Sequence, residues 1–127
     1  MEAVFSIRPQ YASKILSGEK RAEFRRNICV KPIEKILIYS TSPISCIVGE
    51  VSVVKIIVDS VEAVWQLTKE YAGLEYKEYF QYFSGRYRAV AYILSNPVQY
   101  LPPLNLSDVG VIRAPQSFCY LPGYRQI

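Results

Sequence analysis

Three charged residues, Lys20, Glu23 and Arg25, have the types and spacing that most favour chemistry in this sequence. A carboxylate can act as a base, and an ammonium or guanidinium group can stabilise negative charge that develops in a reaction. Glu23 is therefore the candidate base, and Lys20 and Arg25 are the candidate electrophilic groups. Glu50 is a further candidate carboxylate. Because pairs of lysine and glutamate are more often plain salt bridges, a structural role for the same residues stays open.

The residue types that are absent or sparse limit this chemistry. The 127-residue chain has no histidine, which excludes histidine-based triads and histidine metal sites. The three cysteines, Cys29, Cys46 and Cys119, match no metal-binding or redox spacing and suit a reducing cytoplasm. We therefore predict no metal, no cofactor and a cytoplasmic location.

No segment of the sequence has the pattern of a membrane anchor. The most apolar run, residues 44–58, is interrupted by Glu50 and Lys55, so it cannot span a bilayer as a helix. The first residues lack the basic and then apolar order of a signal peptide. We expect a soluble protein that does not bind membranes, and no pattern indicates its oligomeric state.

Positive charge is concentrated in one part of the chain. Residues 8–35 hold eight Lys and Arg against three Glu, which gives this segment a net charge of +5, whereas the rest of the chain sums to −1. Such a local field favours polyanions, of which nucleic acid is the commonest. A basic solvated face is the alternative.

Basic and aromatic residues together suggest how a nucleic acid would be held. Basic side chains contact phosphates, while tyrosine rings stack on unpaired bases. RNA is favoured over duplex DNA because no recognition helix is visible and stacking suits single strands. The predicted contact residues are Arg8, Lys20, Arg21, Arg25, Arg26, Tyr39, Thr41 and Tyr120, and Tyr87 is another candidate for stacking.

The elements that position the charged cluster come first in the chain. Residues 3–8 alternate as a strand, and Pro9 then suits the first turn of a helix over residues 9–17. Gly18 suits the residue that ends this helix. Residues 20–26 follow as a strand that carries Glu23 and Arg25 on one face.

The remaining pattern predicts strands at 36–40 and 44–58, with a bend at Gly49, and then a helix over 59–73 with Asp59 as its N-cap. An aromatic stripe predicts a second helix over 76–83. This stripe is more often core than a binding surface, although an exposed stripe would indicate a protein-interaction module.

The last third of the sequence completes the fold prediction. Strands are expected at 86–94 and 98–101, separated by Pro97, and the segment 114–121 should dock on the body. The fold class is therefore α+β. We predict a single domain over residues 1–127, built as a small mixed barrel of about six strands with one helix after the first strand and a helical pair inserted mid-chain.

Several motifs resemble one known family. The string Gly18-x-Lys20-x-x-Glu23-x-Arg25 follows a strand and a helix, and the chain also contains Ile-Tyr-Ser-Thr-Ser-Pro at 38–43, Val-Gly-Glu at 48–50 and Pro-Gln-Ser-Phe at 115–118. Together they resemble the ASCH domain, a branch of the PUA-like β-barrel superfamily, over essentially the whole chain. The resemblance implies a barrel with a cleft beside the charged string, and a role in binding RNA or modified nucleotides.

Two branches of the family bear on function. Some relatives are described as transcriptional regulators because a helix-turn-helix accompanies the domain, and we see no such segment in this sequence. The bacterial acetylcytidine amidohydrolases use a lysine, a threonine three residues later and a separate glutamate. Lys20 matches that lysine, but Glu23 occupies the threonine position. Because this departure removes the nucleophile, we do not carry deacetylase chemistry over.

These observations favour an RNA-binding or nucleotide-binding domain with a basic cleft around the charged string. The alternative is a small hydrolase, either a ribonuclease or an amidohydrolase on a modified nucleoside, that uses Lys20 and Glu23.

Overall fold

A computed structural model describes residues 1–121. Six strands form one curled sheet in the order β2-β5-β4-β3-β1-β6. The strands are β1 (Glu2–Ile7), β2 (Ala22–Arg25), β3 (Lys35–Ser40), β4 (Cys46–Ser60), β5 (Arg88–Leu104) and β6 (Phe118–Tyr120), and the helices are α1 (Pro9–Ser17), α2 (Val61–Thr68) and α3 (Tyr76–Tyr82). Strands β1 and β3 are parallel, and the other neighbouring pairs are antiparallel. This architecture confirms the predicted mixed α+β fold of about six strands, which form a curled half-barrel.

The helix that precedes the charged cluster begins and ends as predicted. Pro9 occupies its first turn, and Gly18 adopts a left-handed conformation with φ of 85° immediately after Ser17. The amide of Gly18 donates to the carbonyl oxygen of Ile15 and so closes the last turn. The chain then reverses into β2, which pairs with β5.

The cap of α2 differs from the prediction. Ser60, and not Asp59, is the N-cap, since its hydroxyl accepts the amide of Ala63 at 3.1 Å. Asp59 is still paired with Ala89 in the β4–β5 ladder. The helix also ends earlier than predicted, at Thr68, and continues as a 3-10 turn over Lys69–Tyr71.

The prediction that prolines divide the last long strand is wrong. β5 is continuous through Pro97 and Pro102. Neither proline has a register partner in β4, because the β4–β5 ladder shifts register on both sides of the Glu50–Val98 pair. Proline has no N–H to donate to a ladder, so positions without a register partner tolerate it. The predicted bend at Gly49 coincides with one of these shifts.

The aromatic stripe of α3 is mostly core. Tyr79 and Phe83 are buried with Trp65 and Phe24, whereas Tyr76 is exposed. This cluster packs α2 and α3 against β2 and β5, and a second cluster packs α1 against the middle of the sheet. The stripe therefore offers no contiguous exposed patch.

The C-terminal segment docks as predicted. β6 pairs with β1 in antiparallel register, and Leu121 is buried beside Val4. Among residues 1–121, no helix has the length and hydropathy needed to cross a membrane.

Candidate functional site

A cleft of about 730 Å³ opens where β2, α1, α3 and the segment before β6 meet. Its wall combines cations, acceptors and rings. The lining includes Arg8, Tyr11, Lys20, Glu23, Arg25, Arg26, Glu78, Gln81, Tyr82 and Ser117. The charged string predicted from the sequence therefore lies along one side of a cavity.

Lys20 forms a buried part of this lining. Its side chain is 3% exposed, and its Nζ donates to the carbonyl oxygen of Ala72 at 2.7 Å. The rings of Tyr11 and Phe24 lie 5.5 and 4.9 Å from Nζ. Burial lowers the pKa of Lys20 to about 8, which the negative charge of Glu23 partly opposes. A cation is thus held in the lining of the cleft with little water around it.

The loop before α3 fixes Lys20 sterically. Gly73 has φ of 74°, and a Cβ atom there would lie 2.4 Å from Cβ of Lys20. The carbonyl oxygen of Gly73, which follows Ala72, accepts a hydrogen bond from Nζ of Lys14 at 3.2 Å. Two consecutive carbonyl oxygens therefore anchor two lysines beside the cleft.

Glu23 and Arg25 form a close ion pair on β2. Nε and Nη2 of Arg25 lie 3.0 and 2.8 Å from Oε2 of Glu23, and both side chains are nearly buried. The guanidinium also donates to the carbonyl oxygen of Ser6 at 3.0 Å and to Oγ of Ser117 at 3.0 Å. Its carbon lies 4.7 Å from the ring centre of Phe5.

These contacts make Arg25 a link between the two ends of the curled sheet. β2 is the last strand at one end, and β1 with β6 forms the other. Because Arg25 is held by Glu23, Ser6 and Ser117, it can position the cleft wall at Ser117 in addition to supplying positive charge.

Tyr11 and Glu78 connect α1 with α3 across the cleft. The hydroxyl of Tyr11 donates to Oε2 of Glu78 at 2.6 Å. This hydrogen bond is the largest cause of two shifts: it raises the pKa of Tyr11 and lowers the pKa of Glu78. The sequence reasoning missed both residues. The available signal was the capping-box pair Glu75 and Glu78, which marks the start of α3.

Two of the predicted arginines lie at the outer part of the cleft. Arg8 is exposed. Arg26 donates to the carbonyl oxygen of Tyr82 from Nε at 3.1 Å, and its guanidinium lies 4.3 Å from the ring centre of Tyr82. Of the four predicted arginines, Arg21 is not in the lining and instead lies over the ring of Tyr71 at 4.7 Å.

The remaining predicted contact residues lie outside the cleft lining. Tyr39 is buried in the core beside Val4, and Thr41 follows β3. The hydroxyl of Tyr120 accepts the amide of Lys31 at 2.8 Å. The structure brings Arg8, Lys20, Glu23, Arg25 and Arg26 to one cavity, and does not bring Arg21, Tyr39, Thr41 and Tyr120 there.

Two other candidates are also distant from this lining. Tyr87 is almost fully exposed. Glu50 contacts Lys35 at 3.0 Å and accepts the hydroxyl of Tyr100 at 2.6 Å. Over residues 1–121, no three side chains of His, Cys, Asp or Glu are grouped so that they could hold a metal ion.

Comparison with known proteins identifies the family of the chain. A family model described as "ASCH domain" matches residues 5–103. An "ASCH domain-containing ribonuclease" from Zymomonas mobilis is 35% identical over 125 residues, which cover 94% of this chain and 84% of that relative. A protein named "ATP synthase subunit alpha" from Ureaplasma parvum is 31% identical over 119 residues, or 93% of this chain, and the matched part is 15% of that protein.

The solved structures give the same result. The crystal structure of a mutant form of the ASCH protein from Zymomonas mobilis superposes with a TM-score of 0.89 at 30% identity, and the match covers 98% of this chain and 91% of that one. The curled sheet is consistent with the PUA-like fold. The family model spans most of the chain, and the chain therefore belongs to the ASCH domain family.

Proposed function

We propose that the cleft binds single-stranded RNA, with Lys20 and the arginines of its wall at the phosphates. The observation that carries the proposal is the buried ammonium of Lys20 in the lining of an open cavity. Burial disfavours the charged form of a lysine, and the attraction between the ammonium group and an anion bound in the cleft would offset that penalty. The hydrogen bond to Ala72 alone would explain a structural lysine, but it does not explain the cavity beside it.

The form of the ligand follows from the other lining groups. Tyr11 and Tyr82 line the cleft and would supply rings for stacking on unpaired bases, and Arg8 and Arg26 extend the positive charge outward. The ribonuclease from Zymomonas mobilis among the relatives supports RNA as the polymer. A cytoplasmic location accords with the three free cysteines, because cysteines stay reduced there.

Binding of a fluorescent single-stranded RNA heptamer, measured by anisotropy at 50 to 300 mM salt, tests the proposal. If Lys20, Arg8 and Arg26 each neutralise one phosphate, log K should fall against log salt with a slope of about −2. We expect Lys20→Met to weaken binding at least about tenfold and to reduce the slope by about 0.7. Lys55→Met removes an exposed lysine of β4 and should change neither quantity.

Two results would contradict the proposal. One is the absence of binding at 50 mM salt. The other is equal binding by wild type and Lys20→Met, provided that circular dichroism shows both proteins folded.

Cleavage of the bound RNA is the second candidate function. It is favoured by the lowered pKa of Lys20, about 8, which allows proton transfer near neutral pH, and by the ribonuclease among the relatives. In this reaction the ribose 2′-oxygen attacks phosphorus and the bond from phosphorus to O5′ breaks. Glu23 takes the 2′-hydroxyl proton, and Lys20 gives a proton to the leaving O5′.

The products of such a reaction are distinctive. One fragment ends in a 2′,3′-cyclic phosphate, and the other begins with a 5′-hydroxyl. We expect wild type and Lys55→Met to release both from labelled RNA, and Lys20→Met to release neither. An RNA with 2′-O-methyl groups should bind but resist cleavage. Cleavage of the methylated RNA, or equal cleavage by the Lys20→Met variant, would remove this candidate.

A further inference from the structure

The wall of the cleft formed by α3 carries acceptors among the cations. Glu78 and Gln81 are one helical turn apart and both line the cavity. Hydrogen bonds from Tyr11 and from the amide of Glu75 lower the pKa of Glu78, so this carboxyl group is an anion at neutral pH. A carboxylate repels phosphate. This part of the wall is therefore unsuited to the RNA backbone and needs a ligand that donates hydrogen bonds.

Glu78 retains capacity to accept from a ligand. Its Oε2 accepts the hydroxyl of Tyr11 at 2.6 Å, and its Oε1 accepts the amide of Glu75 at 3.4 Å. An ionised carboxylate has about four acceptor positions, so two remain after these contacts. The side chain is exposed, which leaves these positions accessible from the cleft.

Resting on the proposed binding of RNA, we infer that Glu78 and Gln81 recognise the Watson–Crick edge of an unpaired guanine. Guanine presents two parallel donors, N1–H and the exocyclic amino group, which match the two oxygens of a carboxylate. Its O6 lies next to N1 and can accept from the amide of Gln81. Uracil presents one N–H between two carbonyl oxygens, and those oxygens repel Glu78.

The layout of the cleft accommodates a whole nucleotide in this orientation. Arg25 lies on β2 and Lys20 lies just before this strand, whereas Glu78 and Gln81 lie on α3. A phosphate can therefore approach the cations while the base edge approaches the acceptors. The volume of about 730 Å³ is within the range of cavities that hold small ligands.

RNA heptamers that differ only at the central residue test the inference. The flanking residues are uridines, and the centre is guanosine, inosine or uridine. We expect wild type to bind the guanosine heptamer about tenfold more tightly than the uridine one, with inosine between them because it lacks the exocyclic amino group.

The variant Glu78→Gln should reduce this preference to less than about twofold, because it has one acceptor oxygen for guanine instead of two and no longer repels the carbonyl oxygens of uracil, while its amide oxygen can still accept from Tyr11. Glu70→Gln is the control. It removes an exposed carboxylate of the 3-10 turn Lys69–Tyr71 that does not line the cavity, and it should keep the preference for guanosine.

The outcomes separate the inference from the proposal on which it rests. If all three heptamers bind equally and Lys20→Met still weakens each of them, the cleft binds RNA and guanine recognition is wrong. If no heptamer binds, the proposed function itself fails. A heptamer with deoxyguanosine at its centre should keep the preference. Loss of the preference in that heptamer would show that Glu78 contacts the ribose and would overturn the inference.

Discussion

The ammonium nitrogen of Lys20 lies 2.7 Å from the carbonyl oxygen of Ala72, a residue 52 positions further along the chain. This contact joins the residue before β2 to the loop before α3. It satisfies one of the three donors of the ammonium group in a place where water has little access. The buried position disfavours the charged form of Lys20, so holding this ammonium group reduces the stability of the fold.

Replacing Lys20 by Met should stabilise the fold at pH 7. The pKa of Lys20 falls from 10.5 to about 8 on folding, which corresponds to a penalty of about 3 kcal/mol for the charged form. Loss of the hydrogen bond to Ala72 costs about 1 kcal/mol. We therefore expect a net gain of about 2 kcal/mol in the free energy of unfolding, measured by urea denaturation.

The pH dependence of this gain checks its cause. Between pH 8 and 10.5 the unfolded state binds more protons at Lys20 than the folded state, so wild-type stability rises with pH in that window. The difference between variant and wild type should shrink by about 2 kcal/mol from pH 7 to pH 10. A difference that does not change with pH would show that the burial of charge is not its source.

RNA binding should weaken as the solution becomes alkaline. The pKa of Lys20 is about 8, so at pH 9 only about a tenth of the free protein carries the ammonium charge. If the charge is needed at a phosphate, the dissociation constant at pH 9 is about tenfold higher than at pH 7. Anisotropy titrations at constant ionic strength measure this. The Lys20→Met variant should show no such dependence, and a wild-type affinity that is constant up to pH 9.5 would contradict the role of Lys20.

Replacing Gly73 by Ala should displace Lys20. The new Cβ atom would lie 2.4 Å from Cβ of Lys20, and the residue has a positive φ that favours glycine. Gly18→Ala is the control, since Gly18 also has a positive φ but has no heavy atom within 4 Å of the added Cβ. In both variants the free energy of unfolding, measured by urea denaturation, should fall by about 1 kcal/mol because alanine is strained at a positive φ. In Gly73→Ala it should fall by about 1–3 kcal/mol more, and anisotropy should show weaker RNA binding. Equal losses of unfolding free energy in the two variants would show that Lys20 moves away from the new Cβ atom without destabilising the fold.

Removing Arg25 should destabilise the fold. Arg25→Ala leaves the nearly buried carboxylate of Glu23 without its partner and breaks the links to Ser6 and Ser117. We expect the free energy of unfolding, measured by urea denaturation, to fall by about 3–5 kcal/mol, as is usual when one member of a buried ion pair is removed. Arg26→Ala, at an exposed neighbour, should cost less than about 1 kcal/mol. In the double variant Arg25→Ala with Glu23→Gln, the loss should be smaller than in Arg25→Ala alone.

The local patterns of the sequence were sufficient for the parts of the site that are close in the chain. Pro9 and Gly18 mark both ends of α1, and alternation on β2 places Glu23 and Arg25 on one face. Glu23 and Arg25 are two positions apart on one strand, so they come into contact without help from distant segments. Family resemblance then predicted a cleft beside them, and the structure has one there.

The partners that come from distant segments could not be predicted in the same way. Ala72 and Ser117 are linked to the cluster by contacts over 52 and 92 residues, and no local pattern encodes them. The prolines of β5 were misinterpreted for a related reason. Whether a proline breaks a strand depends on the register of the opposite strand, and that register shifts beside Glu50. Tyr39, Thr41 and Tyr120 stay predictions as nucleic-acid contacts, and they lie outside the cleft lining.

The pairing of β6 with β1 determines when the cleft can exist. The hydroxyl of Ser6 donates to the carbonyl oxygen of Pro115 across 109 residues, and Gln116 and Ser117 then complete one side of the cavity. Closing this long loop costs conformational entropy that the pairing must offset. If β6 were not paired with β1, the ion pair of Glu23 and Arg25 would lack the cavity wall at Ser117. Ligand binding in the cleft should therefore require that both ends of the sheet are in place.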